Sequence, residues 1–176
     1  CMALLAQQAP IEAYAAVKKQ LEKMQNDVLN STGFYKDYVS CFGIENKKDI
    51  LTAFIGEPFK SIRISPDGMD SLSSSGDNLL QYTEFKYYVF PVLYNNDVKF
   101  MIRSGERGSG IWRWVGAGCP EVIDKQLFAM RRGNAHKDGY ECYYLWIMNY
   151  LYALIDNEGE YYIIPANPLA LNLLQE

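Results

Sequence analysis

Residues 84–103, EFKYYVFPVLYNNDVKFMIR, decide the fold. Glu84 to Tyr94 is rich in aromatic and β-branched side chains, which suit a pleated, half-buried surface. Pro91 has no N–H to give a ladder, so it implies a bulge or an edge position. Asn95-Asn96-Asp97 supplies a turn, because Asn and Asp tolerate positive φ. Val98, Phe100 and Ile102 then alternate with Lys99, Met101 and Arg103, which is the period of a returning strand. A second turn follows at Gly105, Gly108 and Gly110, and Ile111 to Val115 makes a third strand with Trp112 and Trp114 on one face. The centre of the chain is an antiparallel meander.

Upstream, Val17, Leu21, Met24 and Val28 fall at helical spacing, so Ala16–Leu29 is an amphipathic helix ended by Asn30-Ser31-Thr32-Gly33. A second helix runs from Lys47 to Phe54, with Asn46 as N-cap and Gly56 and Pro58 as terminators. Phe59 to Ile64 alternates as a short strand with one wet side. Ser65 to Asn78 is a polar loop carrying Pro66, Gly68, Gly76 and three consecutive serines. Downstream, Gly116-Ala117-Gly118 closes the third strand and Cys119-Pro120 opens a helix to about Arg132. Proline is favoured at a first helical position, and Gly133 stops the helix behind Arg131 and Arg132. Cys142 to Ile155 is the long arm of a hairpin, Asp156 to Gly159 its turn and Glu160 to Ile164 its return. Asn167-Pro168 caps a short terminal helix through Leu174.

The expected fold class is α+β: an antiparallel sheet of five or six strands, a meander plus a C-terminal hairpin, with helices packed on one face. Residues 16–176 form a single globular domain.

Composition narrows the function. The chain of 176 residues carries 14 Tyr, 8 Phe and 3 Trp, with a net charge of −4. Nucleic-acid binders need a dense basic face, so this charge argues against one. No apolar run approaches the ~20 residues of a membrane-spanning helix, and Asn149 interrupts the longest.

Cys1 to Ala6 is apolar, and Ala13-Tyr14-Ala15 places small residues three and one positions before a cut. Residues 1–15 therefore resemble the tail of a truncated signal peptide, which makes the protein exported (extracellular, cell-surface or periplasmic). Two other readings of this segment stand beside it: Cys1 as the lipid-bearing cysteine of a bacterial lipoprotein, and an ordinary N-terminal segment.

Candidate chemistry is sparse. Cys119 at a helix start would feel the positive end of the helix dipole, and His136 follows it, the layout of a cysteine-dependent hydrolase. Yet the intervening helix separates the two by roughly 20 Å along its axis. No C-x-x-C occurs, the spacings of Cys41, Cys119 and Cys142 match no zinc pattern, and His136 is the lone histidine, so no metal or cofactor is expected. Three cysteines beyond Cys1 allow at most one bridge among them. Gly105, Gly108 and Gly110 lead into a strand, not into the helix a phosphate-cradling loop requires.

More suggestive are the arginines and tryptophans around that turn. Arg103, Arg107 and Arg113 are locally basic on an acidic protein, and Trp112 and Trp114 offer aromatic faces. Together these five residues form a candidate site for an anionic ligand or an acidic protein surface.

Phe42-Gly43-Ile44, Ile55-Gly56-Glu57-Pro58-Phe59-Lys60, Phe90-Pro91-Val92 and Trp114-Val115-Gly116-Ala117-Gly118 resemble stretches of exported bacterial proteins, especially of Firmicutes. The resemblance spans roughly residues 40 to 120. It implies export and an α+β domain and carries over no catalytic residue. The functional expectation is an exported, non-catalytic binding or accessory module. The alternatives are the Cys119–His136 hydrolase and a module that inhibits a protease in the manner of a propeptide.

Overall fold

The structure, a computed structural model, describes residues 9–30, 44, 46–65, 67–69, 78–135 and 139–166. It contains helices α1 (Ile11–Asn30), α2 (Lys47–Leu51) and α3 (Val122–Gly133). The strands are β1 (Phe54–Ile55), β2 (Phe59–Ile64), β3 (Thr83–Tyr94), β4 (Asp97–Glu106), β5 (Trp112–Gly118), β6 (Tyr140–Ile147), β7 (Tyr150–Asn157) and β8 (Glu160–Pro165). The class is α+β and the strands are mostly antiparallel, but there are eight of them among the described residues, not five or six. Two compact units divide the chain: Gln8–Pro58 with Tyr87–Lys125, and Phe59–Lys86 with Gln126 onward.

In the unit holding α1, β4 pairs antiparallel with both β3 and β5, and the two-residue β1 pairs with β3. Asn95 and Asn96 have φ of 52° and 62°, the left-handed pair whose twist matches a tight hairpin. The expected irregularity near Pro91 appears as a register shift between Val92 and Leu93. Gly56 donates its N–H to the Pro91 carbonyl at 2.8 Å. A Cβ at Gly56 would lie 2.9 Å from Leu93 Cδ1, so its role is to let the chain pass close to β3, not to end a helix. Phe54, expected as the last residue of the second helix, lies in β1, and α2 closes at Leu51 with Thr52 as C-cap. Asn46 caps α2 as expected, its Oδ1 accepting the Lys48 N–H at 2.9 Å.

α1 lies against β4, β5 and α2. Its buried stripe is Ala13, Val17, Leu21, Met24 and Val28, packed with Tyr88, Phe90, Val92, Phe100 and Ile102. The helix starts at Ile11, five residues ahead of the expected Ala16. Ala13 is fully buried, and the Tyr14 ring meets Phe90 edge-on at 5.9 Å. Gln25 Nε2 donates to the Ile50 carbonyl at 2.9 Å, so a side chain of α1 closes the end of α2.

In the other unit the order is β2-β6-β7-β8. The β2–β6 pairing is parallel, with Lys60 opposite Tyr143 and Arg63 opposite Trp146, where an all-antiparallel sheet was expected. A parallel strand is normally covered on both faces. Ser61 is accordingly fully buried, and β2 lacks the wet side its alternation implied.

The arm from Cys142 to Ile155 is two strands, not one. Met148-Asn149 turns β6 into β7, with Met148 at φ 53°. Methionine is no turn former, so the polar break at Asn149 was the sole local cue. The β7–β8 turn is centred on Glu158 (φ 56°) and Gly159 (φ 91°), and Asp156 Oδ1 accepts the Gly159 N–H at 2.8 Å.

Ile62, Ile64, Tyr143, Leu145, Tyr152 and Leu154 pack under Leu79 from a 3-10 turn at Leu79–Tyr82. The expected terminal helix at 167–174 and most of the loop at 65–78 lie outside the described residues. Among the described residues no helix is long and apolar enough to cross a membrane.

Candidate binding face

β4 and β5 carry the five candidate residues, and their register sorts those residues by face. Directly opposed residues of paired strands point to the same side, and neighbours along a strand alternate. Glu106 faces Trp112 and Ser104 faces Trp114, whereas Gly105 faces Arg113 and Arg103 faces Gly116. Trp112 and Trp114 thus share one side, as expected. Arg103 and Arg113 share the other, so the structure separates a composite of these five residues into two faces. The register shift between Arg103 and Ser104 leaves Val115 as the extra residue of β5, and this bulge sets Gly116 and Gly118 on the same side as the two arginines.

On the tryptophan side, Trp112 stacks obliquely on Tyr88 with centroids 5.5 Å apart and packs against the α1 core. Trp112 belongs in part to that core, while Trp114 is 46% exposed. On the arginine side, both guanidinium-bearing chains are exposed, and among the described residues neither Arg103 nor Arg113 is held in an ion pair. Two glycines open this side: nothing lies within 4 Å of a Cβ built at Gly116 or at Gly118. Gly116-Ala117-Gly118 is strand, not the strand terminator expected from its composition. Arg107 sits in the turn beyond, where its N–H bonds the Ile111 carbonyl at 2.9 Å and Glu106 caps Gly110.

Cys119 does not hold the helix-start position that the hydrolase alternative gave it. α3 starts at Val122, so Cys119 and Pro120 precede the helix and do not open it. The positive end of α3 is met by the Asp124 carboxylate, which accepts the Glu121 N–H at 2.6 Å. Cys119 is exposed, and His136 lies outside the described residues. Among the described residues no three His, Cys, Asp or Glu side chains gather as a metal site.

Cys142 is the buried thiol. Burial pushes its pKa up from the ordinary 9.0, against the pull of Arg131 and a hydrogen bond with Tyr140. A raised folded pKa means the neutral thiol stabilises the fold below that ordinary value, and the contribution is lost as pH rises through the folded pKa. Native stability is therefore expected to fall above pH 9, with Cys142→Ala showing a shallower fall in urea melts at pH 8, 9 and 10.

Comparison of the chain with family models, with curated proteins and with solved structures yields no match.

Proposed function

We propose that this protein is an exported, non-catalytic binding module whose recognition surface is the arginine side of β4–β5. The observation that carries the reading is the pairing of Arg103 and Arg113 on one exposed side, over glycines that leave the floor open. A guanidinium presents a planar fork of donors matched to carboxylate and phosphate oxygens. Two such forks on an otherwise acidic chain favour an extended anionic ligand or an acidic protein surface. The strands fix the two arginines relative to each other, which lowers the ordering cost of binding. Export rests on the apolar stretch Cys1 to Ala6 and on the resemblance to exported bacterial proteins. In this reading the mature chain starts upstream of Pro10, which keeps the buried Ala13 in it.

The test is calorimetric titration with polyglutamate and polygalacturonate. Arg103→Gln with Arg113→Gln is expected to weaken binding at least tenfold and flatten its salt dependence. Gly116→Val is expected to weaken it as well, by filling the floor. Unchanged affinity in both variants would rule this side out. If Trp114→Ala were the only damaging change, recognition would belong to the tryptophan side.

A further inference from the structure

A second charged and aromatic cluster lies in the other compact unit, on strands the sequence marked for no function. Arg63 on β2 stands opposite Trp146 on β6. Trp146 donates its indole N–H to Ser61 Oγ at 3.1 Å, and Ser61 is fully buried, so the ring is fixed from beneath. Lys86 Nζ sits 4.3 Å from the centroid of that ring. Glu84, two residues earlier on β3, accepts from Arg63 Nε at 2.9 Å and from Nη2 at 2.7 Å, both through Oε2. Two of the five guanidinium N–H donors are thereby used, and both ends of the ion pair are about half exposed.

We propose that Arg63, Lys86 and Trp146 form a site for a small oxyanion, a carboxylate or phosphate group, that bridges the guanidinium and the ammonium and displaces Glu84. Three features support this. Two cations are held near each other: burial and the charge of Arg63 both lower the Lys86 pKa. An anion between them relieves that repulsion, and the indole beneath Lys86 limits the directions from which water can compete. Glu84 already shows that the guanidinium takes a carboxylate in this place, and an exposed pair of this kind contributes little to stability. Glu84 therefore acts as an internal stand-in for the ligand. The Arg63 charge acts on Lys86, and the β6 group against which Lys86 lies is the uncharged Trp146 ring.

The test uses a Trp112→Phe, Trp114→Phe chain, which leaves Trp146 as the sole indole. Its fluorescence is followed on adding acetate or inorganic phosphate at constant ionic strength, with chloride as the balancing anion. The expected result is a saturable change with one or both anions. Saturation by acetate alone assigns a carboxylate, and by phosphate alone a phosphoryl group. Lys86→Gln and Arg63→Gln should each weaken it tenfold or more, while Glu84→Gln should tighten it severalfold by removing the internal competitor. A merely structural ion pair would instead make Glu84→Gln neutral or harmful to binding. A response equal to that of chloride, or one insensitive to Lys86→Gln and Arg63→Gln, would overturn the proposal. Arg103→Gln with Arg113→Gln should leave this titration unchanged, so it can fail without the β4–β5 reading failing, and the reverse.

Discussion

Phe59→Ala is expected to lower the unfolding free energy by about 3–5 kcal/mol, the usual cost of truncating a fully buried aromatic ring. Phe59 has no exposed surface. Its ring stands edge-on to Tyr144 with centroids 5.8 Å apart, and the Arg131 guanidinium lies over it at 3.5 Å. Arg131 also donates to the Cys142 carbonyl at 3.4 Å, so the ring, the end of α3 and β6 share one anchoring point. Removing the ring leaves a cavity and takes away the aromatic face over which Arg131 is placed. Arg131→Ala should be milder, about 1 kcal/mol, because the stem and one cation–π contact are lost while the ring packing stays. Phe59→Leu should fall between the two. Urea melts of the three variants check the order, and a Phe59→Ala loss below that of Arg131→Ala would show that the ring is not the anchor.

The second large effect concerns the N-terminus. A chain starting at Ala16 is expected to be less stable than one starting at Ala9 by about 2–4 kcal/mol. The shorter chain loses the first turn of α1, the buried methyl of Ala13 and the edge-on contact of Tyr14 with Phe90. It also loses the Pro10 carbonyl, which accepts the Ala13 and Tyr14 N–H groups at 3.0 and 3.1 Å. Thermal melts of the two chains decide the matter. Equal melting temperatures would restore Ala16 as the start of the folded unit.

Local chemistry carried much of this fold. The apolar period of α1 placed Val17, Leu21, Met24 and Val28 on the buried side, and all four are there. The paired asparagines at 95 and 96 placed the β3–β4 turn, because they tolerate the left-handed backbone found there. Asn46 placed the start of α2 by a short-range bond, its side chain accepting the Lys48 N–H. Errors arose where a local cue had two outcomes of similar energy. The helix was expected to begin at Ala16, yet Tyr14 meets the Phe90 ring and the helix runs from Ile11. Cys119-Pro120 can begin a helix, yet Asp124 caps it later.

What tertiary structure alone decided is which distant residues meet. Pairing β2 with β6 joins segments about eighty residues apart, and no local propensity specifies a parallel partner. That pairing buries Ser61 and sets Arg63 beside Trp146, a neighbourhood that two separate strands do not announce. On β4–β5 the sequence determined which residues are charged or aromatic and that the strands alternate. It did not determine the bulge at Val115. An extra residue in one strand reverses the facing of everything beyond it, and whether the extra residue is accommodated depends on the partner strand's register. The separation of Arg113 from Trp112 and Trp114 was therefore present in the alternation, while the meeting of Arg103 with Gly116 and of Gly105 with Arg113 came from packing.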